Sequence, residues 1–405
     1  MAALLDGVAD VSEGGPADAA RWRFVRRRGV AVFQAHGYTE VRPAVIEPEG
    51  LALAAGTRGA IAIGPDGEER AELRADPQAS LARLWARGKP DEFVRWMSAG
   101  TVFDQNAHGA HRVRGWAALT GLVIGAADPA ADAEAAILLQ SLAGDLSLRE
   151  GEVTVGTLGD TADLRGYTGA LSELLPLRCP ICQAAPDVLR FFTCEDEGCR
   201  ALAQSAPPLR DFLGVAALKH HEAMLAILEA AGFHVTDDPR MAFGQGRYQG
   251  TVMELRARDA TGAMLGVARG GRRDDLVSRL GAPPVPAFGL TVGVARAAAC
   301  LRGDGESYEQ ACEVFFASRG AGARAWALKS AAAGRALGFR TDVELRDISW
   351  EQQVARAEKM RARVVVLAGE AERKKGEVAL RDMRVHEFRR IPEETLLTEL
   401  KRILR

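Results

Sequence analysis

Nowhere in these 405 residues does an apolar run approach the ~18 residues that a membrane-spanning helix needs. The N-terminal stretch MAALLDGVADVSEGGPADAA lacks the basic start and apolar centre of a secretory signal, so the chain is expected to stay in the cytoplasm with no membrane partner. An excess of basic charge is also missing. Lys and Arg total 52 against 54 Asp and Glu, a net charge of −2, which excludes a wholly basic nucleic-acid binder but leaves room for a local basic face. Cysteine is scarce at six residues, four of them clustered, and without an export signal these read as metal ligands or reduced thiols rather than disulfides. What remains is an ordinary globular composition, 47% hydrophobic and 26% charged, long enough for two or three domains with separate cores.

Apolar positions at helical spacing run from 17 to 36, beside Arg21, Arg23, Arg26, Arg27 and Arg28, which read as the solvated face of an amphipathic helix. Gly37 stops that helix, and Tyr38 to Glu47 reads as a strand containing Pro43. Residues 60–75 predict a hairpin around Pro65-Asp66-Gly67. Residues 126–165 read as a helix and a strand that demand no chemistry. Cys179 and Cys182, then Cys194 and Cys199, form two close pairs. Each pair can put two thiolates on one turn, and together they can close a tetrahedral structural Zn²⁺ site without an open position. His220 and His221, on the helical stretch that follows, read as packing or surface residues rather than ligands. From Phe243 to Arg296 short β-type runs alternate with glycines, which implies an antiparallel sheet with a floor of small residues. Beyond 307, β and α segments alternate as in a small mixed sheet flanked by helices, with a basic patch at Arg373, Lys374 and Lys375. Cys300 and Cys312 read as inert buried thiols.

The stretch Arg247-Tyr248-Gln249-Gly250-Thr251-Val252-Met253-Glu254, then Gly270-Gly271-Arg272-Arg273-Asp274-Asp275-Leu276, then Gly293-Val294-Ala295-Arg296, resembles the histidyl-tRNA synthetase family, whose corresponding motifs read YYTGTVFE, GGRYDGL and GLER. The resemblance extends over nearly the whole chain. It implies a mixed α/β fold: an antiparallel class II synthetase core from residues 1–165 and 239–306, a cysteine-bearing insertion at 166–238, and an anticodon-binding-like domain at 307–405. It implies ATP and Mg²⁺ as cofactors, tRNA or another RNA as partner, and a homodimer built on the first helix, strand and Pro43. ATP would be met by Arg112 and Arg296, and the pocket would be formed by Asp76, Arg247, Tyr248, Gly270 and Gly271.

The motifs are unevenly kept. Asp76 stands where the family's LRPEGT has the glutamate that holds the substrate ammonium group, and the threonine of that motif is absent. Asp104 and Phe243 occupy the positions of two arginines that stabilise charge during amino-acid activation, while Ala118 and Leu122 replace a pocket glutamine and glutamate. Arg247, four residues from Phe243, would have to reach across roughly 13 Å of strand to replace the second cation. No catalytic residue is therefore assigned. The resemblance leaves three functions open: a relative with lost or weak histidine activation that keeps tRNA or partner binding, a working histidine-tRNA ligase, or a regulatory subunit like that of ATP phosphoribosyltransferase.

Overall fold

The computed structural model describes residues 14–64, 70–88, 93–105, 113–185, 187–194, 196–244, 246–303, 308, 312–385 and 387–405. The chain divides into two compact units, Met1–Tyr308 and Glu309–Arg405.

The first unit begins with α1 (Pro16–Ala35), β1 (Thr39–Glu40), β2 (Ile46–Pro48), α2 (Leu51–Ala54), β3 (Ile61–Ile63), β4 (Ala71–Leu73) and α3 (Pro77–Gly88). The long strands β5 (Val94–Gln105) and β6 (Val113–Ile124) follow, then α4 (Pro129–Asp145), β7 (Glu152–Thr157) and α5 (Thr161–Ala170). The insertion contributes α6 (Pro180–Ala184), α7 (Glu197–Ser205) and α8 (Val215–Ala230). The unit closes with β8 (Thr236–Asp237), β9 (Gln249–Arg258), β10 (Met264–Arg272), α9 (Leu276–Arg279), β11 (Ala287–Gly293) and α10 (Val294–Ala299).

Eight strands form one sheet in the order β1-β5-β6-β11-β10-β9-β7-β8. Only its outermost pairs, β1 with β5 and β7 with β8, are parallel. The expected antiparallel core is therefore present. One face is covered by α1, α4, α8 and α10, whose apolar residues join those of the sheet in a single core that includes Phe33, Leu119, Leu139, Met224, Phe288 and Ala297. Burial of that stripe holds α1 in place, and its arginines 23, 26, 27 and 28 are left exposed as amphipathicity requires. Beneath other parts of the sheet, α2, α3 and α9 pack through Leu51, Leu81, Trp85 and Leu276. The insertion buries Tyr167, Cys182, Leu189, Phe191 and Cys199 against Phe243, Tyr248 and Val252 of the core.

The strand expected over 38–47 is realised only as β1 and β2. Pro43 has no N–H to give a ladder, and the carbonyls of Pro43 and Ala44 instead accept from the Arg74 guanidinium, each at 3.4 Å. The expected hairpin is present as antiparallel β3 and β4, extended by β2. Its turn residues Pro65, Asp66 and Gly67 lie outside the described residues.

The second unit contains β12 (Val314–Arg319), α11 (Ala321–Ala336), β13 (Thr341–Val343), α12 (Trp350–Lys359), β14 (Val364–Gly369), α13 (Glu370–Lys374), β15 (Glu377–Asp382), β16 (Glu387–Pro392) and α14 (Leu396–Leu404). The sheet order is β13-β12-β14-β15-β16, parallel through the first three strands and antiparallel thereafter. The parallel strands carry near-continuous apolar runs such as VVVLAG, as expected where helices cover both faces. Lys374 and Lys375 are exposed, whereas Arg373 is engaged within the unit, its guanidinium 5.5 Å over the Trp326 ring and 3.5 Å from Glu393.

Candidate functional site

A cavity of about 420 Å³ opens in the first unit. Its walls come from β5 and β6 (Val102, Trp116, Ala117), β10 (Val267, Ala268, Arg269), β11 and α10 (Thr291, Arg296), and the turn before β9 (Phe243, Arg247, Tyr248). Glycines make that turn. Gly244 and Gly246 adopt φ of 71° and 82°, which swings Arg247 and Tyr248 inward. Phe243 and Tyr248 meet edge to face at 5.9 Å, and each ring carries a guanidinium over it at 5.3 Å, Arg269 over Phe243 and Arg247 over Tyr248. Arg269 also donates to Glu254 at 2.7 Å.

Asp76 sits behind this wall and is completely buried. It accepts six hydrogen bonds: two from Arg273 at 2.9 and 3.1 Å, one from Arg247 at 3.3 Å, one from Thr57 at 2.6 Å, and the backbone amides of Gln78 and Ala79 that it caps at the start of α3. A carboxylate offers about four lone-pair sites, so its capacity is filled. Burial alone would push this carboxyl up, but the charges of Arg247 and Arg273 outweigh it and hold Asp76 far below the usual carboxylate range.

The expected site residues divide accordingly. Arg247, Tyr248 and Arg296 line the cavity together. Asp76, expected in the pocket, anchors two arginines inside the fold. Gly270 and Gly271, also expected there, lie on β10 outside the lining of this cavity. A Cβ at Gly270 would stand 2.3 Å from the Gly289 carbonyl and from Leu290, and one at Gly271 would stand 2.8 Å from the Thr251 carbonyl, so packing between strands is what these glycines serve. Gly270→Ala is accordingly expected to destabilise the protein by about 1–3 kcal/mol through overpacking, which denaturant unfolding would measure. Ala118 and Leu122 are buried in β6, with Leu122 in the apolar layer around α3, and Trp116 and Ala117 form the wall instead. Asp104 lies in β5, its backbone opposite Arg114. Arg112 falls outside the described residues.

Two groups were missed from sequence. Arg273 was named only within the stretch that matches GGRYDGL, with no role of its own. Consecutive residues at a strand end point to opposite faces, so Arg273 reaches Asp76 while Arg272 turns to Asp132 on α4, 2.9 Å away. Asp132, fully buried, also accepts from Thr251 at 2.7 Å and lies 2.6 Å from His220 of α8. The segment that seemed to demand no chemistry thus carries a buried ionic network. His221 is buried and meets Asp237 at 2.9 Å, so both histidines are tied to carboxylates inside the fold.

The four cysteines converge: their sulfurs all lie within 4.8 Å of one another, and those of Cys179 and Cys194 are 3.9 Å apart. Tetrahedral zinc with Zn–S bonds near 2.3 Å requires sulfurs about 3.8 Å apart. The amide of Cys182 donates to Cys179 and lowers its thiol pKa, while burial pushes Cys182 and Cys199 up. The donor set fits a closed zinc site. Cys300 and Cys312 are buried singly.

An antiparallel sheet carrying this cavity in one unit, and a mixed five-stranded sheet in the other, define a class II aminoacyl-tRNA synthetase architecture. The apo histidyl-tRNA synthetase of S. aureus has the same fold, with a TM-score of 0.76, 21% identity, and 98% of both chains covered. A chain titled as an ATP phosphoribosyltransferase regulatory subunit/histidyl-tRNA synthetase from Bacillus halodurans C matches with a TM-score of 0.62 at 18% identity, covering 86% of this chain and 94% of that one. The family profile described as Histidyl-tRNA synthetase matches residues 10–164, and that described as Anticodon binding domain matches residues 314–403. A histidine-tRNA ligase of Anaeromyxobacter sp. (strain K) is 30% identical over 403 residues, 95% of this chain and 96% of the relative. The chain belongs to the histidyl-tRNA synthetase family.

Proposed function

We propose that this family member has lost or strongly weakened histidine activation and retains binding to tRNA or to a partner. The observation that carries this reading is the engagement of Asp76 by Arg247 and Arg273. By resemblance this carboxylate is the receptor for the substrate ammonium group, and a carboxylate with its lone pairs taken cannot serve as one. Asp104 and Phe243 add to the loss, because each missing transition-state donor commonly costs ~10²–10³ in rate. RNA binding is supported by the match of the second unit to the anticodon-binding profile and by exposed Lys374 and Lys375.

Histidine-dependent ATP–pyrophosphate exchange tests the reading. The natural protein should exchange at least about 10²-fold more slowly than an active ligase, and an Asp104→Arg, Phe243→Arg variant should stay slow because Asp76 remains occupied. Robust exchange by the natural protein would overturn it. That outcome is the working ligase, a second reading favoured by Arg269, whose guanidinium over Phe243 brings a cation back to the position of the lost one. The regulatory-subunit reading draws on the likeness to the Bacillus halodurans regulatory subunit/histidyl-tRNA synthetase chain and is disfavoured by the match of the second unit to the anticodon-binding profile.

We also assign structural Zn²⁺ to Cys179, Cys182, Cys194 and Cys199, and a homodimer in the cytoplasm to the chain as a whole. Among the described residues no helix is long and apolar enough to cross a membrane. ATP with Mg²⁺, where it binds, would meet Arg296 at the edge of the cavity, and Arg112 is assigned to it by resemblance alone.

A further inference from the structure

The insertion supplies part of the cavity wall. Asp187 and Arg190 line it beside Phe243, Gly244, Arg247 and Tyr248. Both belong to the loop between Cys182 and Cys194, so the two cysteine pairs bracket it in sequence. The loop has little regular structure of its own: one 3₁₀ turn, Val188–Thr193, a helix type whose poor hydrogen-bond geometry does not sustain it alone. It is fixed from outside. Buried Arg178, next to Cys179, donates to the Leu175 and Val188 carbonyls at 2.8 and 3.0 Å, while Leu189 and Phe191 are buried in the cluster that contains Cys182 and Cys199.

Asp187 joins this loop to the core by bonds that have direction. Its carboxylate accepts the Leu189 amide at 3.0 Å, capping the 3₁₀ turn, and the Gly244 amide at 3.2 Å. The Gly244 carbonyl in turn accepts the amides of Arg247 and Tyr248, both at 2.9 Å. Gly244 is therefore held at both ends, its N–H by the insertion and its C=O by the two residues that it presents to the cavity. A side chain is not admitted there, since a Cβ would stand 2.5 Å from the Tyr248 ring. Apolar packing is non-directional, so it can press the insertion against the core without fixing the angle of this turn. The Asp187 bonds fix it.

We propose that Asp187 is the positioning residue through which the four-cysteine site controls the cavity. The closed cysteine site holds the bracketed loop, Asp187 holds Gly244, and Gly244 holds Arg247 and Tyr248 in the wall. The shape of the cavity then depends on metal bound outside it. The inference rests on the zinc assignment made above and is independent of whether histidine is activated.

Hydrogen exchange of the full-length protein, resolved at the Gly244 amide and accompanied by metal analysis, is the test. Protein purified without chelator is compared with the same protein stripped of metal, with Asp187→Ala and with Asp187→Asn. Hydrogen bonds to charged acceptors are the stronger ones. Asp187→Ala should therefore keep about one zinc per chain yet exchange at Gly244 about tenfold faster or more. Asp187→Asn retains one acceptor oxygen and should recover part of that protection, and it reads the outcome if Asp187→Ala folds poorly. Stripping the metal should speed Gly244 at least as much as Asp187→Ala does. Exchange in β5 and β6 should stay unchanged throughout, which a merely destabilised fold would not permit. Gly244 exchange that ignores Asp187→Ala, or an acceleration shared with β5 and β6, overturns the positioning role. Zinc-loaded protein whose Gly244 amide ignores stripping overturns the coupling and leaves the zinc assignment standing. Protein that carries no metal as purified overturns the assignment and the coupling together.

Discussion

Asp76→Ala is expected to cost about 3–5 kcal/mol of folding stability, because removing one partner of a buried ionic group strands the others. Here the stranded group is Arg273, whose guanidinium retains only neutral acceptors, Gln78 Oε1 at 3.0 Å and the Ala55 carbonyl. Arg247 can turn to the cavity, so it suffers less. A double variant, Asp76→Leu with Arg273→Met, should recover most of the loss, since an apolar replacement of a buried ion pair is often neutral or better. Urea unfolding of the three proteins measures this, and a loss below about 1 kcal/mol for Asp76→Ala would place the carboxylate among the dispensable surface pairs. The pH dependence has a fixed sign. The folded-state pKa of Asp76 is depressed, so its contribution is present above the unfolded value near 3.9 and is lost as pH falls below it. Asp76→Ala should therefore flatten the acid limb of the stability curve.

Cys182→Ser, or prolonged exposure to a strong chelator, is expected to release about one zinc per chain and to loosen the insertion around it. Apparent zinc binding in small cysteine sites supplies about 10–16 kcal/mol of folding free energy, far more than the few apolar contacts of α6 and α7 can replace. Cys182 and Cys199 are themselves part of the apolar cluster that holds Phe191 and Leu189 against Phe243 and Tyr248. Metal loss should therefore reach the cavity wall. Metal analysis of protein purified without chelator, followed by limited proteolysis of Cys182→Ser, checks both parts. Metal-free protein with four titratable thiols and unchanged proteolysis would eliminate the site.

The two predictions differ in how visible their basis was from the chain alone. The cysteine pairs are local in sequence, and a thiolate pair on a short turn already has its geometry constrained, so the spacing pointed to the site that the fold assembles. The Asp76 group joins residues 171 and 197 positions apart. No periodicity links them, and Asp76 reads as a pocket residue until Arg273 is found behind it. Gly270 fails for a similar reason: a glycine needed for ligand approach and one needed for strand approach look the same in sequence. Asp132 was hidden inside an alanine-rich helix whose pattern is satisfied by packing alone.

By itself the sequence pointed to the family through the likeness of its motifs, and to the antiparallel core, the mixed C-terminal unit and the cysteine cluster because period, turn chemistry and short-range spacing are properties of neighbouring residues. Only the tertiary structure decided which charges meet. The direction of a side chain at the end of β10, and whether a carboxylate faces a cavity or two buried guanidiniums, depend on strand register and on helices brought from elsewhere in the chain. Electrostatic energy depends on separation in space and on burial, and neither is set by separation along the sequence.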